Sequence, residues 1–390
     1  MTAHPCPICA GDRTTVFLRR DGVPVHQNLV MATPEAARSL ARGDLTFAVC
    51  PDCGFVFNQA FDLARLAYGE DYDNTQSCSA TFNTYLDGLV EDLVDRHGVR
   101  NCAIVEVGCG KGGFLRKLVE FADANNTGTG FDPSYVGEAT SSDGRLTFRQ
   151  CYYDDACTEI PADVVVCRHV IEHVPDPMSL LRSVRAALSR SPRARVFFET
   201  PCVDWILRNQ VVWDFFYEHC SLFTASSLGV AFERAGFAVD RVKHIFGGQY
   251  LWLEARVAGA TRPTLEPGET VQLAQAYGAR EGQLRQRWQA RLLELGALGP
   301  VALWGAGAKG ATLANLADPD GTHIDCVVDL NPNKQGGFIP GTGHPIVAPA
   351  DLPGRGVKRA ILMNPNYRQE NLRLLAEHGI NLDLLDWSEP

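Results

Sequence analysis

The run Glu106-Val107-Gly108-Cys109-Gly110-Lys111-Gly112 decides how this chain is read. It closes the apolar stretch 103–107, and residues 113–121 behind it carry the 3.6-residue spacing of a helix that covers a sheet. The segment therefore reads as strand, glycine-rich turn and helix. Glycines at such a turn let backbone close on a ligand, and the N-terminus of the helix that follows favours an anionic group. A nucleotide-like cofactor is implied. Spacing narrows the choice: dinucleotide sites carry G-x-G-x-x-G, whereas Gly108, Gly110 and Gly112 give G-x-G-x-G with an acid, Glu106, ahead of them. Asp132 lies 22 positions after Gly110 at the end of the next apolar run, where its side chain can accept hydrogen bonds from ribose hydroxyls. Asp154 and Asp155, after the third strand region, are candidates for an adenine amino group.

Outward from this loop, the runs 129–131, 164–167 and 196–198 read as further buried parallel strands, with a covering helix over 177–188. Two β-like runs, 237–246 and 250–257, flank the turn signal Gly247-Gly248 and should form an antiparallel edge pair. Residues 258–268 have linker composition, and 269–298 form a long amphipathic helical pattern expected to break near Gly282. A second, smaller βαβ unit follows, with strands over 301–304, 326–329 and 360–363 and a loop Gly305-Ala306-Gly307-Ala308-Lys309-Gly310.

The N-terminal residues carry two knuckles, Cys6-Pro7-Ile8-Cys9 and Cys50-Pro51-Asp52-Cys53. Four thiolates fill the tetrahedral shell of one structural Zn2+ and leave no position for water or substrate, so the ion should staple the module and take no part in chemistry. The other nine of the 13 cysteines are scattered singly, as small buried hydrophobes are. The expected organisation is thus a zinc-binding module over 1–70, a Rossmann-like core over 71–260, a linker and long helix over 261–298, and a C-terminal Rossmann-like α/β domain over 299–390.

At 390 residues, with 45% hydrophobic and 21% charged, the composition is that of an ordinary globular enzyme of more than one domain. A net charge of −10 without blocks of like charge argues against a protein that holds nucleic acid through phosphates and leaves a small molecule as the expected partner. No apolar stretch of about 18 residues reads as a membrane span, and the N-terminal residues have no signal-peptide pattern, so a cytoplasmic protein is expected.

Two further segments carry ionisable groups. The first runs from Asp163 through His169 and Glu172-His173 to Pro177; the second is Phe216-Tyr217-Glu218-His219, just past the fifth strand. Buried aromatics beside a Glu-His pair suit a ring-shaped substrate with histidine as general acid or base. The G-x-G-x-G loop with its acid resembles motif I of class I methyltransferases, and the segment ending in Glu172-His173-Val174-Pro175 resembles their strand-four motif, which places His169 and His173 near the methyl group. With the zinc knuckles, the segment 72–79 and the C-terminal motifs 305–310 and 329–341, nearly the whole chain is similar to the sugar C-methyltransferases of deoxysugar biosynthesis. Those enzymes methylate carbon 3 of nucleotide-linked 4-keto-6-deoxy sugars. The resemblance implies S-adenosylmethionine as cofactor, with Glu106, Gly108, Gly110, Gly112, Asp132, Asp154 and His169 around it. It also makes Tyr72, His173, Tyr217, Glu218 and His219 active-site residues, His219 being the leading base. Phe216, Lys309, Asn364 and Asn366 would then meet a substrate enclosed by the C-terminal domain. The chain departs from the family at Phe216-Tyr217, where the family reads Tyr-His, and at 363–367, where the family tends to Leu-Pro-Trp-Asn. An O- or N-methyltransferase and, from residues 305–310 with Asp329, an NAD-dependent oxidoreductase remain alternative readings.

Overall fold

A computed structural model describes residues 4–66 and 78–387. The segment around Tyr72 lies outside them.

The core is an eight-stranded sheet. Ahead of it in the chain lies an N-terminal sheet, in which β1 (Thr15–Pro24), β2 (Arg42–Val49) and β3 (Val56–Asn58) run antiparallel in that order. In the core, β4 (Ala103–Val107) pairs in parallel with β5 (Thr127–Phe131) on one side. β5 is followed by β6 (Thr140–Ser141) and β7 (Leu146–Arg149). On the other side of β4, β8 (Val164–Arg168) and β9 (Arg195–Pro201) continue in parallel. Near-continuous Val, Ile and Phe suit strands buried on both faces. Strand order reverses at β4, so the glycine loop after β4 and the turn after β8 meet where ligands of doubly wound sheets bind.

The two-residue strand β10 (Ser221–Leu222) leaves the core and pairs with β3, completing the N-terminal sheet as β1-β2-β3-β10. The module is therefore no independent unit. β11 (Phe237–Ile245) and β12 (Tyr250–Val257) form the expected hairpin, with β12 antiparallel to β9.

The C-terminal domain is a five-stranded parallel sheet of β13 (Val301–Trp304), β14 (Ile324–Val328), β15 (Ile346–Val347), β16 (Arg359–Leu362) and β17 (Asp383–Asp386). They lie side by side as β15-β14-β13-β16-β17.

The long helix does not break near Gly282: it runs from Thr270 to Gly296 without interruption. One face, with Ala274, Tyr277, Leu284, Leu292 and Leu295 buried, packs along the N-terminal sheet and the C-terminal domain. This packing overrides the weak helix propensity of glycine. Gly278 has a separate reason to be there, since a Cβ on it would sit 2.2 Å from the Phe17 carbonyl oxygen of β1, whereas one on Gly282 meets nothing. Gly278→Ala is accordingly expected to destabilise the chain by about 1–3 kcal/mol through overpacking. Gly282→Ala should stabilise it by roughly 0.5–1 kcal/mol. Denaturant midpoints of the two variants check the contrast.

Candidate active site

The glycine loop needs its glycines. Gly108, Gly110 and Gly112 have φ of 70°, 54° and 78°, the left-handed region. A Cβ on Gly108 would lie 2.1 Å from Val170 Cγ2 and one on Gly112 2.5 Å from Phe148 Cε1, so these two residues admit close packing. At Gly110 nothing stands within 4 Å, leaving that face open. Asp132 reaches the loop as expected: its Oδ2 accepts the Gly110 N–H at 2.8 Å, and its Oδ1 accepts from the Ser134 N–H and hydroxyl at 2.8 and 2.6 Å. A carboxylate accepts more bonds than these, so Oδ2 retains capacity for a hydroxyl.

Two of the expected cofactor ligands do other work. Glu106 is buried, and its Oε2 accepts the Leu115 N–H at 3.1 Å, tying β4 to the first turn of the helix Gly113–Glu120. Burial pushes its pKa up to about 8. Asp154 is exposed and caps the turn Asp155–Glu159 through the Ala156 N–H at 2.9 Å. Sequence reasoning took acids near the loop as ligands when short-range backbone donors claim them. The side chain of Asp155 lies outside the described residues.

His169 follows β8 with φ of 54°, strained for a residue with a Cβ. Its Nδ1 stands 3.2 Å from Glu172 Oε1 and its Nε2 3.2 Å from Glu199 Oε1. Burial opposes its charge, but Glu199 and Glu172 outweigh burial and hold its pKa at about 9, so the ring is an imidazolium. Glu199 also accepts from Arg168 Nε at 2.6 Å and the Tyr85 hydroxyl at 2.5 Å. Burial alone would raise its pKa; Arg168 and His169 bring it down to about 2. The Thr200 hydroxyl donates to Glu172 Oε2 at 3.1 Å. Sequence reasoning missed Arg168, Glu172, Glu199 and Tyr85 as site residues. Glu172 stood inside the motif; the one signal for Glu199 was an acid at the end of a buried strand.

Beside this network a cavity of about 260 Å³ opens between the core, the C-terminal domain and the N-terminal residue Asn28. His219 lines it with its ring centroid 4.8 Å from that of His173 and 4.0 Å from that of Phe216. Atoms of Glu172, His173 and His219 able to bind a proton or a cation lie within 4.8 Å of one another. Burial first, then the charges of His173, His169 and Lys309, hold the His219 pKa well below 6.5, so it is a neutral base at pH 7. Lys309 lines the cavity from the other domain, 2.7 Å from Asp214 and with Nζ 5.9 Å from the centroid of the Trp205 ring. Asn364 also lines it, held by Gln249 Nε2 at 3.1 Å.

Three assignments are corrected. Tyr217 is fully buried away from the cavity: its hydroxyl accepts the Asp62 N–H at 2.9 Å, and its ring fills the space left by Gly43. Glu218 does not orient His219, because the chain turns there and sends its carboxylate to the Gln27 N–H at 2.7 Å and to within 3.6 Å of His26 Nδ1. Asn366 donates to the Phe246 carbonyl at 3.1 Å and holds the β11–β12 turn without lining the cavity. In the second glycine loop, the Ala306 and Ala308 amides are taken by Asp329 at 2.9 Å and Asn28 at 2.9 Å, donors a dinucleotide phosphate would need.

At the far end of the N-terminal module, Cys6, Cys9, Cys50 and Cys53 are buried with their sulfurs within 4.8 Å of one another. No helix among the described residues is long and apolar enough to cross a membrane.

Five parallel strands reversing order at a glycine loop, closed by an antiparallel hairpin, make the sheet of class I S-adenosylmethionine-dependent methyltransferases, and the chain is an enzyme of that class. Residues 82–242 match a family model described as a methyltransferase domain, and residues 268–379 one described as a C-methyltransferase C-terminal domain. The C-methyltransferase NovU of Streptomyces niveus is 26% identical over 94% of this chain and 90% of its own length. The ubiquinone biosynthesis O-methyltransferase of Actinobacillus pleuropneumoniae serotype 7 is 34% identical over 27% of this chain, and the match spans about half, 47%, of that protein. Among solved structures, magnesium protoporphyrin IX methyltransferase of Synechocystis, with bound SAH, has a TM-score of 0.36 and 17% identity over 46% of this chain and 84% of that one. The chain thus carries, in this order, a methyltransferase domain and a C-methyltransferase C-terminal domain.

The His169 assignment can be checked directly. Its folded pKa of about 9 exceeds the ordinary 6.5, so its charge favours folding. That contribution is complete below pH 6.5 and is lost as pH rises through about 9. Histidine ring-nitrogen NMR should show His169 doubly protonated at pH 8 (roughly 90% charged for such a pKa) and His219 singly protonated. A neutral His169 at that pH would contradict the geometry.

Proposed function

We propose that this enzyme methylates a carbon atom, carbon 3 of a nucleotide-linked 4-keto-6-deoxy sugar, with His219 as the base. One observation carries the reading: His219 is half-buried, neutral and set on the wall of a cavity that two domains share. A ketone beside the reacting carbon makes its C–H acidic enough for an enzyme base, which His219 would remove. The enolate oxygen then needs donors; His173 stands beside the base, and the family resemblance adds Tyr72. S-adenosylmethionine supplies the electrophilic methyl group, and Gly108 to Gly112 with Asp132 would hold it. Phe216, Lys309 and Asn364 would meet the sugar and its nucleotide. Glu218 serves by bracing the segment that carries His219, and Tyr217 by packing.

His219→Asn is expected to keep cofactor and acceptor affinity and to lower turnover by roughly 10²- to 10⁴-fold. It should also abolish exchange of the acceptor C–H with heavy water. Wild-type turnover in that variant would remove His219 as base. Turnover lost, with no exchange even in the wild-type enzyme, would favour the O- or N-methyl reading.

The four cysteines fit a structural zinc ion: their sulfurs converge, all are buried, and four thiolates close the shell. One equivalent of zinc per chain is expected, lost in Cys50→Ser together with thermal stability. A variant that retains a full equivalent would place the metal elsewhere.

A further inference from the structure

Arg168 is the last residue of β8, and the parallel register that sets Cys167 opposite Val107 puts Arg168 level with Gly108, the first glycine of the cofactor loop. Its side chain is 9% exposed. The guanidinium carbon lies 4.5 Å from the centroid of the Phe114 ring, in the first turn of the helix that leaves the loop. Nε donates to Glu199 Oε2 at 2.6 Å. Nη2 is different: it is buried and has no hydrogen-bond partner among the described residues. Donors left idle on a buried cation are costly, and a planar guanidinium fork matches a carboxylate. Among the described residues no carboxylate bonds Nη2: Glu106 is near enough for its charge to act on Arg168 but gives its Oε2 to the Leu115 N–H, and Glu199 Oε2 is engaged by Nε.

We propose that Arg168 Nη2 binds the α-carboxylate of the methyl donor's amino-acid end. The assignment rests on the methyl-donor reading above and deepens it. Of the donor's parts, only the amino-acid end carries a carboxylate, the acceptor whose charge and geometry match a guanidinium best. Glu199 is the positioning residue: by taking Nε it fixes the plane of the fork and leaves the outer nitrogen to the ligand.

Two ligands separate the possibilities in calorimetric titrations. S-adenosylhomocysteine keeps the carboxylate; 5′-methylthioadenosine keeps the adenosine and sulfur but lacks it. Arg168→Gln should weaken S-adenosylhomocysteine by roughly 10- to 150-fold, the range for a hydrogen bond to a charged group, and leave 5′-methylthioadenosine unchanged. Arg168→Lys, which keeps the charge and loses the fork, should fall between wild type and Arg168→Gln, and it decides the matter if the glutamine variant does not fold. Equal losses for both ligands, or no loss for either, in a folded variant would overturn the proposal. A wild-type enzyme that binds neither ligand would overturn the methyl-donor reading with it.

Discussion

Glu199 and Glu172 are buried carboxylates at the place where the sheet reverses its strand order, and each would be a severe liability alone. An unpaired buried charge costs several kcal/mol. Here Glu199 is shared between Arg168, His169 and Tyr85, while Glu172 takes His169 and Thr200. The arrangement binds together the ends of β8 and β9, the helix Ala80–Glu91 through Tyr85, and β12 through Tyr250, whose ring lies 4.5 Å from that of His169. A left-handed histidine, which costs of order 1–3 kcal/mol, persists because both ring nitrogens are pinned. With Val170 packed against Gly108, the same turn fixes the cofactor loop.

A second constraint couples the N-terminal module to this site. Residues 215–223 belong to both: Phe215 packs against Phe17 and Phe47 of the module, Glu218 receives Gln27, and β10 extends the module's sheet. His219 lies in the middle of that stretch. The helix Thr270–Gly296 then lays the module and the C-terminal domain along one face. A metal held by Cys6, Cys9, Cys50 and Cys53 would therefore bear on His219 through packing alone.

The fold was legible where periodicity and glycine spacing carry information. The strands 103–107, 164–167 and 196–198, the hairpin and the second βαβ unit stand within a few residues of their expected bounds. The knuckle spacing sets each cysteine pair, and the antiparallel pairing of β1 with β2, Thr15 opposite Val49, brings the two pairs together. Direction of side chains was not legible. Glu218 and His219 are neighbours in sequence, yet a turn sends one to the module and the other to the cavity. Tyr217 and Asn366 read as polar site residues, but each is consumed by a backbone group distant in sequence. Gly282 read as a break because local propensity is visible in sequence and the packing of a long helix face is not. Arg168 and Glu199 escaped notice because each ends an apolar strand, and the partners that give them a role come together only in the fold.

The field in the cavity bears on the proposed chemistry in two opposed ways. His169 and Lys309 help to keep His219 neutral, which makes the proton acceptor available at pH 7 and also makes it a weaker base. A weak base would abstract a proton from carbon poorly if the enolate formed in water. The same positive groups, however, favour the negative charge that develops on the substrate oxygen, and in a desolvated cavity they do so without solvent reorganising. What the field takes from the base it returns to the acid, so the proton transfer can remain balanced while the base stays deprotonated. Both halves of this balance would gain from the wall that Lys309 and Asn364 of the C-terminal domain add to the cavity, because burial is the largest cause of the lowered His219 pKa and water would screen an enolate from its stabilising charges.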